Sequence, residues 1–229
     1  MNEFDELKNI YQERDEFLKD RYNPLNPDIM MTVQEKERLI VKWINTEKIS
    51  PVSSKKLIEI GCGNGSNLLF FLKLGFKPEN IVANELIEQR AESARKLLPE
   101  TIKIIIGNAI DLQLPAEEFN IVFQSTVFSS ILSFDSRKKL ADIIWKIVKP
   151  GGGILWYDFI YNNPQNPNVR KVTLKEFKQL FPIGEIKYWR LTLAPPISRV
   201  VTKIHPNFYH LFNLFPFLRT HILCWIKKI

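Results

Sequence analysis

Leu57-Ile58-Glu59-Ile60-Gly61-Cys62-Gly63-Asn64-Gly65-Ser66-Asn67-Leu68 is an apolar run that closes on an acid and then on three alternating glycines. It reads as a strand, a tight turn and a helix start. Gly61, Gly63 and Gly65 permit positive φ and lack the Cβ atoms that would crowd a ligand, and a helix opening near Ser66 aims unpaired N–H groups outward. The turn is shaped to hold something. A dinucleotide fingerprint wants a third glycine at the sixth place of G-x-G-x-x-G, for close helix packing beside a pyrophosphate, and here that place is Ser66.

Downstream, Leu68, Leu69, Phe71 and Leu72 continue an apolar helix that stops at Gly75, and Ile81-Val82-Ala83-Asn84-Glu85 is a second strand ending in an acid. A carboxylate at that strand end can accept hydrogen bonds from both hydroxyls of a ribose; as a helix-start acid it would also favour the helix dipole, and the two roles can coexist. Ile87, Ala91, Ala94 and Leu98 trace the buried face of the helix after it. The third strand, Ile102–Ile106, reads as buried from its composition and runs into Gly107-Asn108-Ala109, with Asp111 a loop carboxylate. Phe119–Gln124 is the fourth strand, and Ser125–Ile131 a polar turn after it. Asp135 is the expected N-cap of a helix carrying Leu140, Ile143, Ile144 and Ile147, which Lys149-Pro150-Gly151-Gly152-Gly153 ends ahead of a fifth strand, Ile154–Ile160. Thr173-Leu174-Lys175-Glu176 has the capping-box form before another short helix. Strand six is expected over Glu185–Leu193 and strand seven over His221–Ile226.

Upstream, Phe4, Leu7, Ile10, Tyr11, Phe17 and Leu18 have helical spacing, and Tyr22-Asn23-Pro24-Leu25-Asn26-Pro27 breaks the helix they mark. Thr32-Val33-Gln34-Glu35 has the form of a capping box that would start a second helix, with Leu39, Ile40, Trp43 and Ile44 inward. Alternating strands and helices of this count predict an α/β fold, a mainly parallel sheet with helices on both faces.

The order Glu-x-Gly-x-Gly-x-Gly resembles the first motif of class I S-adenosylmethionine-dependent methyltransferases, and more narrowly the type 11 kind among small bacterial methyltransferases. Gly107-Asn108-Ala109 with Leu114-Pro115 after it, and Lys149-Pro150-Gly151-Gly152 before an apolar strand, add to the likeness, with Asn108 where the family commonly has Asp. The resemblance implies a Rossmann-like seven-stranded sheet with strand seven antiparallel between five and six, and S-adenosylmethionine as cofactor. It further implies cofactor contacts from Glu59, Gly61, Cys62, Gly63, Asn64, Gly65, Glu85, Leu86, Asn108, Ala109 and Gln124. That ligand brings an ammonium and a sulfonium, so Glu59 attracts it; an Asn108 amide oxygen can accept the bond that an acid takes from the adenine amino group. At the end of strand four, nucleic-acid and protein amino-methylating enzymes carry Asn/Asp-Pro-Pro-aromatic. Gln124-Ser125-Thr126-Val127 is unlike it, which points to oxygen methylation of a small-molecule or carrier-linked acceptor such as a glycan sugar or a natural product. Asp158, Tyr161, His205 and His210 are the available proton acceptors; Asp158, at a strand end, ranks first, and the histidines read more readily as surface or packing residues. The alternative is an RNA-directed or non-catalytic relative; DNA is not an expected partner.

The expected division is one domain, with residues 1–54 a helical leader, 55–193 the cofactor core, 194–220 an insertion and 221–229 the last strand. Leader and insertion are expected to cover the acceptor site. Phe208, Tyr209, Phe212 and Phe215 in the insertion are read first as lid core, then as acceptor pocket, and last as a membrane contact. The chain has 229 residues and 45% hydrophobic composition, enough for a sizeable core. Its acidic polar start and lack of a long apolar run suggest a cytoplasmic protein. Cys62 and Cys224 offer neither a disulfide framework nor metal-ligand spacing, so no metal is expected. The net charge of +7 is uneven: residues 1–136 carry 16 Lys and Arg against 21 Asp and Glu, and residues 137–229 carry 16 against 4.

Overall fold

A computed structural model describes residues 21–163 and 166–229. The helix expected from Phe4 to Leu18 lies outside the described residues. From Arg21 onward the chain bends through the Asn23–Asn26 turn into α1 (Pro27–Thr46), with Pro27 at the first helical position, where its missing N–H costs nothing. Thr32 and Glu35 are therefore inside a helix and not at its start. The capping-box pattern was misleading because Glu35 has long-range partners: its carboxylate accepts from Tyr209 Oη at 2.7 Å, Asn213 Nδ2 at 2.6 Å and the Thr192 N–H at 2.9 Å.

The elements that follow are β1 (Leu57–Ile60), α2 (Ser66–Lys73), β2 (Ile81–Glu85), α3 (Glu88–Leu97), β3 (Lys103–Ile106), β4 (Phe119–Ser125), α4 (Phe134–Ile147), β5 (Val148–Phe159), α5 (Leu174–Leu180), β6 (Glu185–Leu193), α6 (Pro195–Ile204), α7 (Phe208–Asn213) and β7 (Arg219–Lys227). The sheet order is β3-β2-β1-β4-β5-β7-β6. β1 to β5 pair in parallel, and β7 inserts antiparallel between β5 and β6. This is the Rossmann-like sheet that the motifs imply, and its central strands are near-continuous apolar runs because both faces are covered.

Side chains alternate across the sheet. Ile58, Ile60, Val122, Ile154 and Trp156 pack under α4 and α5, whereas Leu57, Ala83, Phe123, Leu155 and Trp225 pack under α1 and α2. Trp43 anchors α1, its ring 4.9 Å from that of Trp225. Glu59, one residue from Ile58 and two from Leu57, thus points to the α1–α2 face.

Several sequence expectations need correction. β3 is the sheet edge, with Lys103 and Ile106 exposed and Ile104 and Ile105 half-buried, because no strand lies beyond it; its apolar composition suggested full burial. Ser133 and not Asp135 caps α4, accepting from the Ser136 N–H. β5 begins at Val148, so the Lys-Pro-Gly-Gly-Gly stretch lies within the strand at a register shift, and the Gly151 N–H is taken by the Lys228 carbonyl. β7 starts at Arg219, two residues early. Thr173 does cap α5, accepting from the Glu176 N–H, yet Glu176 turns away from the cap to a buried arginine.

Candidate active site

The carboxyl ends of β1, β2 and β3 lie side by side, the edge at which open α/β sheets hold ligands. The loop after β1 turns on Gly61 (φ +67°) and Gly63 (φ +58°), and Gly65 (φ +86°) is the N-cap of α2. The glycines do different work. A Cβ at Gly61 would strike the Val127 side chain at 2.5 Å and one at Gly65 would strike Leu98, whereas one at Gly63 meets nothing within 4 Å. Gly61 and Gly65 thus serve packing, and Gly63 faces open space. Asn64 accepts from the Ser66 N–H and hydroxyl and fixes the loop's exit, and Cys62 is buried with its N–H on the Asn84 carbonyl.

Glu85 closes the loop from β2. Its Oε2 accepts the Gly63 N–H at 2.7 Å and its Oε1 accepts the Ile87 N–H at 3.0 Å, so one carboxylate fixes both the glycine turn and the entry to α3. Leu86 is half-buried beside it. Asn84 donates to the Ile105 and Gly107 carbonyls, which holds the third loop, and there Asn108 Oδ1 caps the turn opening at Ala109 by accepting the Ile110 N–H. Gln124 is fully buried: Oε1 accepts the Val127 N–H and Nε2 donates to the Tyr157 carbonyl at 3.4 Å. It shapes the turn after β4 from beneath and has no exposed surface.

Glu59 is wholly buried. Asn67 Nδ2 donates to its Oε1 at 2.7 Å, and Lys36 Nζ in turn donates to Asn67 Oδ1 at 2.7 Å. Its Oε2 has no partner. Burial pushes the carboxyl up to about 8, against the downward pull of Asn67 and Lys36, and burial lowers the Lys36 ammonium. A buried carboxylate oxygen without a donor is costly, so this atom is suited to a cation or hydroxyl brought by a ligand. Lys36 also lies 5.2 Å from the centre of the Tyr157 ring, and Tyr157 Oη pairs with Thr192 Oγ1 at 2.9 Å.

Residues 58–156 match the family model described as a methyltransferase domain. Of solved structures, a TehB-like S-adenosylmethionine-dependent methyltransferase from Corynebacterium glutamicum is similar over 97% of this chain and 98% of its own, at 14% identity and a TM-score of 0.60. A second such methyltransferase, from Archaeoglobus fulgidus, is similar over 83% of this chain and 94% of its own, at 14% identity and a TM-score of 0.59. At those identities they speak to the fold alone. A malonyl-acyl-carrier-protein O-methyltransferase of Bacteroides fragilis is 33% identical over 63 residues, a match that spans 28% of this chain and 13% of that protein.

The four proton acceptors named from sequence do not converge. Asp158 is fully buried on the α4–α5 face, its Oδ2 accepting the Ser129 N–H and its Oδ1 the Phe159 N–H; burial pushes it up to about 7. It builds the turn after β4. Tyr161 is exposed after β5, and His205 and His210 are exposed on the insertion. The histidine on the α1 face is His221, which sequence reasoning passed over. It pairs across the sheet with Phe159, its ring stacks on Tyr157 at 5.1 Å and 14°, and its Nδ1 meets Thr220 Oγ1 at 3.0 Å. Burial, then Lys36, lowers it to about 3, so the ring is neutral at physiological pH. Asn67, on the first turn of α2, could have been found as the amide two residues after the last glycine. Lys36 and His221 gave no local signal.

Among the described residues no helix is long and apolar enough to cross a membrane, and no cluster of three or more His, Cys, Asp or Glu is placed to hold a metal ion.

Proposed function

We propose that this chain transfers a methyl group from S-adenosylmethionine to an oxygen of a small-molecule or carrier-linked acceptor. The observation that carries the cofactor assignment is the buried, unpartnered Glu59 Oε2 beside an open Gly63. In this reading Glu59 takes the methionine ammonium within the turn of Gly61, Cys62, Gly63, Asn64 and Gly65. Glu85, with Leu86 against it, takes the ribose hydroxyls on the lone pairs its backbone donors leave. Asn108 and Ala109 meet the adenine, and Gln124 supports the floor. Bound S-adenosylmethionine supplies a methyl carbon on a sulfonium, already a good leaving group. The chain's own residues therefore act by alignment and water exclusion. Asn67 orients Glu59, Lys36 orients Asn67, and the α1 helix carrying Lys36 is tied over the site through Glu35. His221, held neutral, is the ring on that face able to accept a hydrogen bond from an acceptor hydroxyl; its lowered basicity makes it a weak proton acceptor.

The Glu59 assignment predicts a proton. A bound ammonium favours the carboxylate, so binding discharges a proton that burial had held, and affinity rises with pH until the ligand's own α-amino group begins to lose its proton, at about 7.7–8.0. At pH 6–7, where an α-amino group (pKa about 7.7–8.0) stays charged, calorimetry in buffers of different ionisation heat should show the wild type releasing about one proton more than Glu59→Gln. Equal proton release in the two proteins would remove Glu59 from that role.

Oxygen as the target rests on Gln124-Ser125-Thr126-Val127 standing where amino-methylating enzymes carry Asn/Asp-Pro-Pro-aromatic. Incubation with labelled cofactor and either hydroxylated small molecules, a carboxyl-bearing carrier thioester, or purified RNA and DNA should label only the first two classes. Methylation of an exocyclic amine of RNA or DNA would refute the proposal.

A further inference from the structure

The insertion between β6 and β7 was expected to be lid core, and the structure divides it. Of Phe208, Tyr209, Phe212 and Phe215, Tyr209 alone is buried, fixed through its hydroxyl to Glu35 and the Leu193 N–H; the three phenylalanines are exposed. α6 buries Ser198, Val201 and Thr202 and turns Val200 and Ile204 outward. Ile204 is 71% exposed, Leu214 69% and Phe217 70%, and with the exposed Leu211, Phe212 and Phe215, whose ring packs on Phe217 at 5.8 Å, they give the insertion an apolar surface. Monomeric soluble proteins rarely present such a surface without a partner.

Charge tells which partner. From Ala194 to Arg219 the insertion and its exit carry Arg199, Lys203 and Arg219 and not one Asp or Glu. Arg199 and Lys203 stand next to Val200 and Ile204 on α6, one helical turn apart. A second copy docked isologously would bring these like charges together. Nucleic acid would match the charge but has no use for protruding leucine, isoleucine and phenylalanine tips. An anionic bilayer uses both features, taking the apolar tips at the headgroup–acyl boundary and the basic side chains among its phosphates.

We propose that the α6–α7 face docks this protein on an anionic phospholipid surface. The full chain should co-sediment with vesicles of mixed phosphatidylglycerol and phosphatidylcholine at low salt, far less at high salt, and not with phosphatidylcholine alone. Leu214→Ser combined with Phe217→Ser should cut partitioning about tenfold or more, and Lys203→Glu should cut it on the anionic vesicles. These side chains are exposed, so cofactor binding by calorimetry should be unchanged in each variant. Failure of the wild-type chain to bind anionic vesicles would overturn the proposal. Equal binding to both vesicle types would also do so, as would a solution dimer that the double variant converts to monomer.

Discussion

Glu85→Ala should bind S-adenosylmethionine and its demethylated product roughly ten- to a hundredfold more weakly than the wild type. The magnitude follows from the number of bonds that meet at one carboxylate. Glu85 is 4% exposed and already accepts the Gly63 and Ile87 N–H groups, so its removal takes away the ribose acceptor we propose and at the same time loosens the glycine turn. Loss of one charged hydrogen bond costs about 1.5–3 kcal/mol, and each 1.4 kcal/mol is about tenfold in affinity. Titration calorimetry with both ligands checks this on protein shown to be folded. Unchanged affinity would take Glu85 out of the site, and tighter binding of NAD than of either ligand would overturn the cofactor assignment itself.

Glu176→Ala should be the more damaging change to the fold. Arg137 is fully buried in α4; its Nη1 donates to Glu176 Oε1 at 2.6 Å, its Nε to the Ile131 carbonyl at 2.6 Å and its Nη2 to the Arg170 carbonyl at 2.8 Å. Burial works against the guanidinium's charge, and the hydrogen bond and charge of Glu176 work for it. Taking one partner from a buried pair leaves an uncompensated charge, a loss of about 3–5 kcal/mol, equivalent to roughly 6–20 °C in Tm for a chain this long. The second arginine on the same oxygen, Arg170, is 41% exposed and adds little to that figure. Glu176→Gln keeps an oxygen for Arg137 and should fall between. A thermal melt of the alanine variant within a degree or two of wild type would show that the pair is not a determinant of stability. The consequence reaches the site, because Arg137 holds the Ile131 carbonyl at the end of the turn whose Ser129 N–H is held by Asp158.

The sequence by itself determined what short-range chemistry decides. Glycines at alternate positions force the turn after β1, acids stand at or next to the strand ends at Glu59 and Glu85, and apolar periodicity places β2, β6 and the inward faces of α2 and α3 where the structure has them. Those features depend on residues within a few positions of one another. Tertiary structure alone decided the rest. Thr32 to Glu35 has the local form of a helix start, yet Glu35 is committed to Tyr209, 174 residues away, and a bond at that separation leaves no trace in a local pattern. The apolar run of β3 cannot say that its strand will be the outermost, and five aromatic side chains from 208 to 217 cannot say which of them faces inward. Lys36, Asn67 and Glu59 form one chain of contacts, and His221 joins Tyr157 on the same face, because α1, α2 and the antiparallel β7 meet at that edge of the sheet. Burial in three dimensions then sets which of these groups keeps its charge, since desolvation depends on everything packed around an atom and not on its neighbours in the chain.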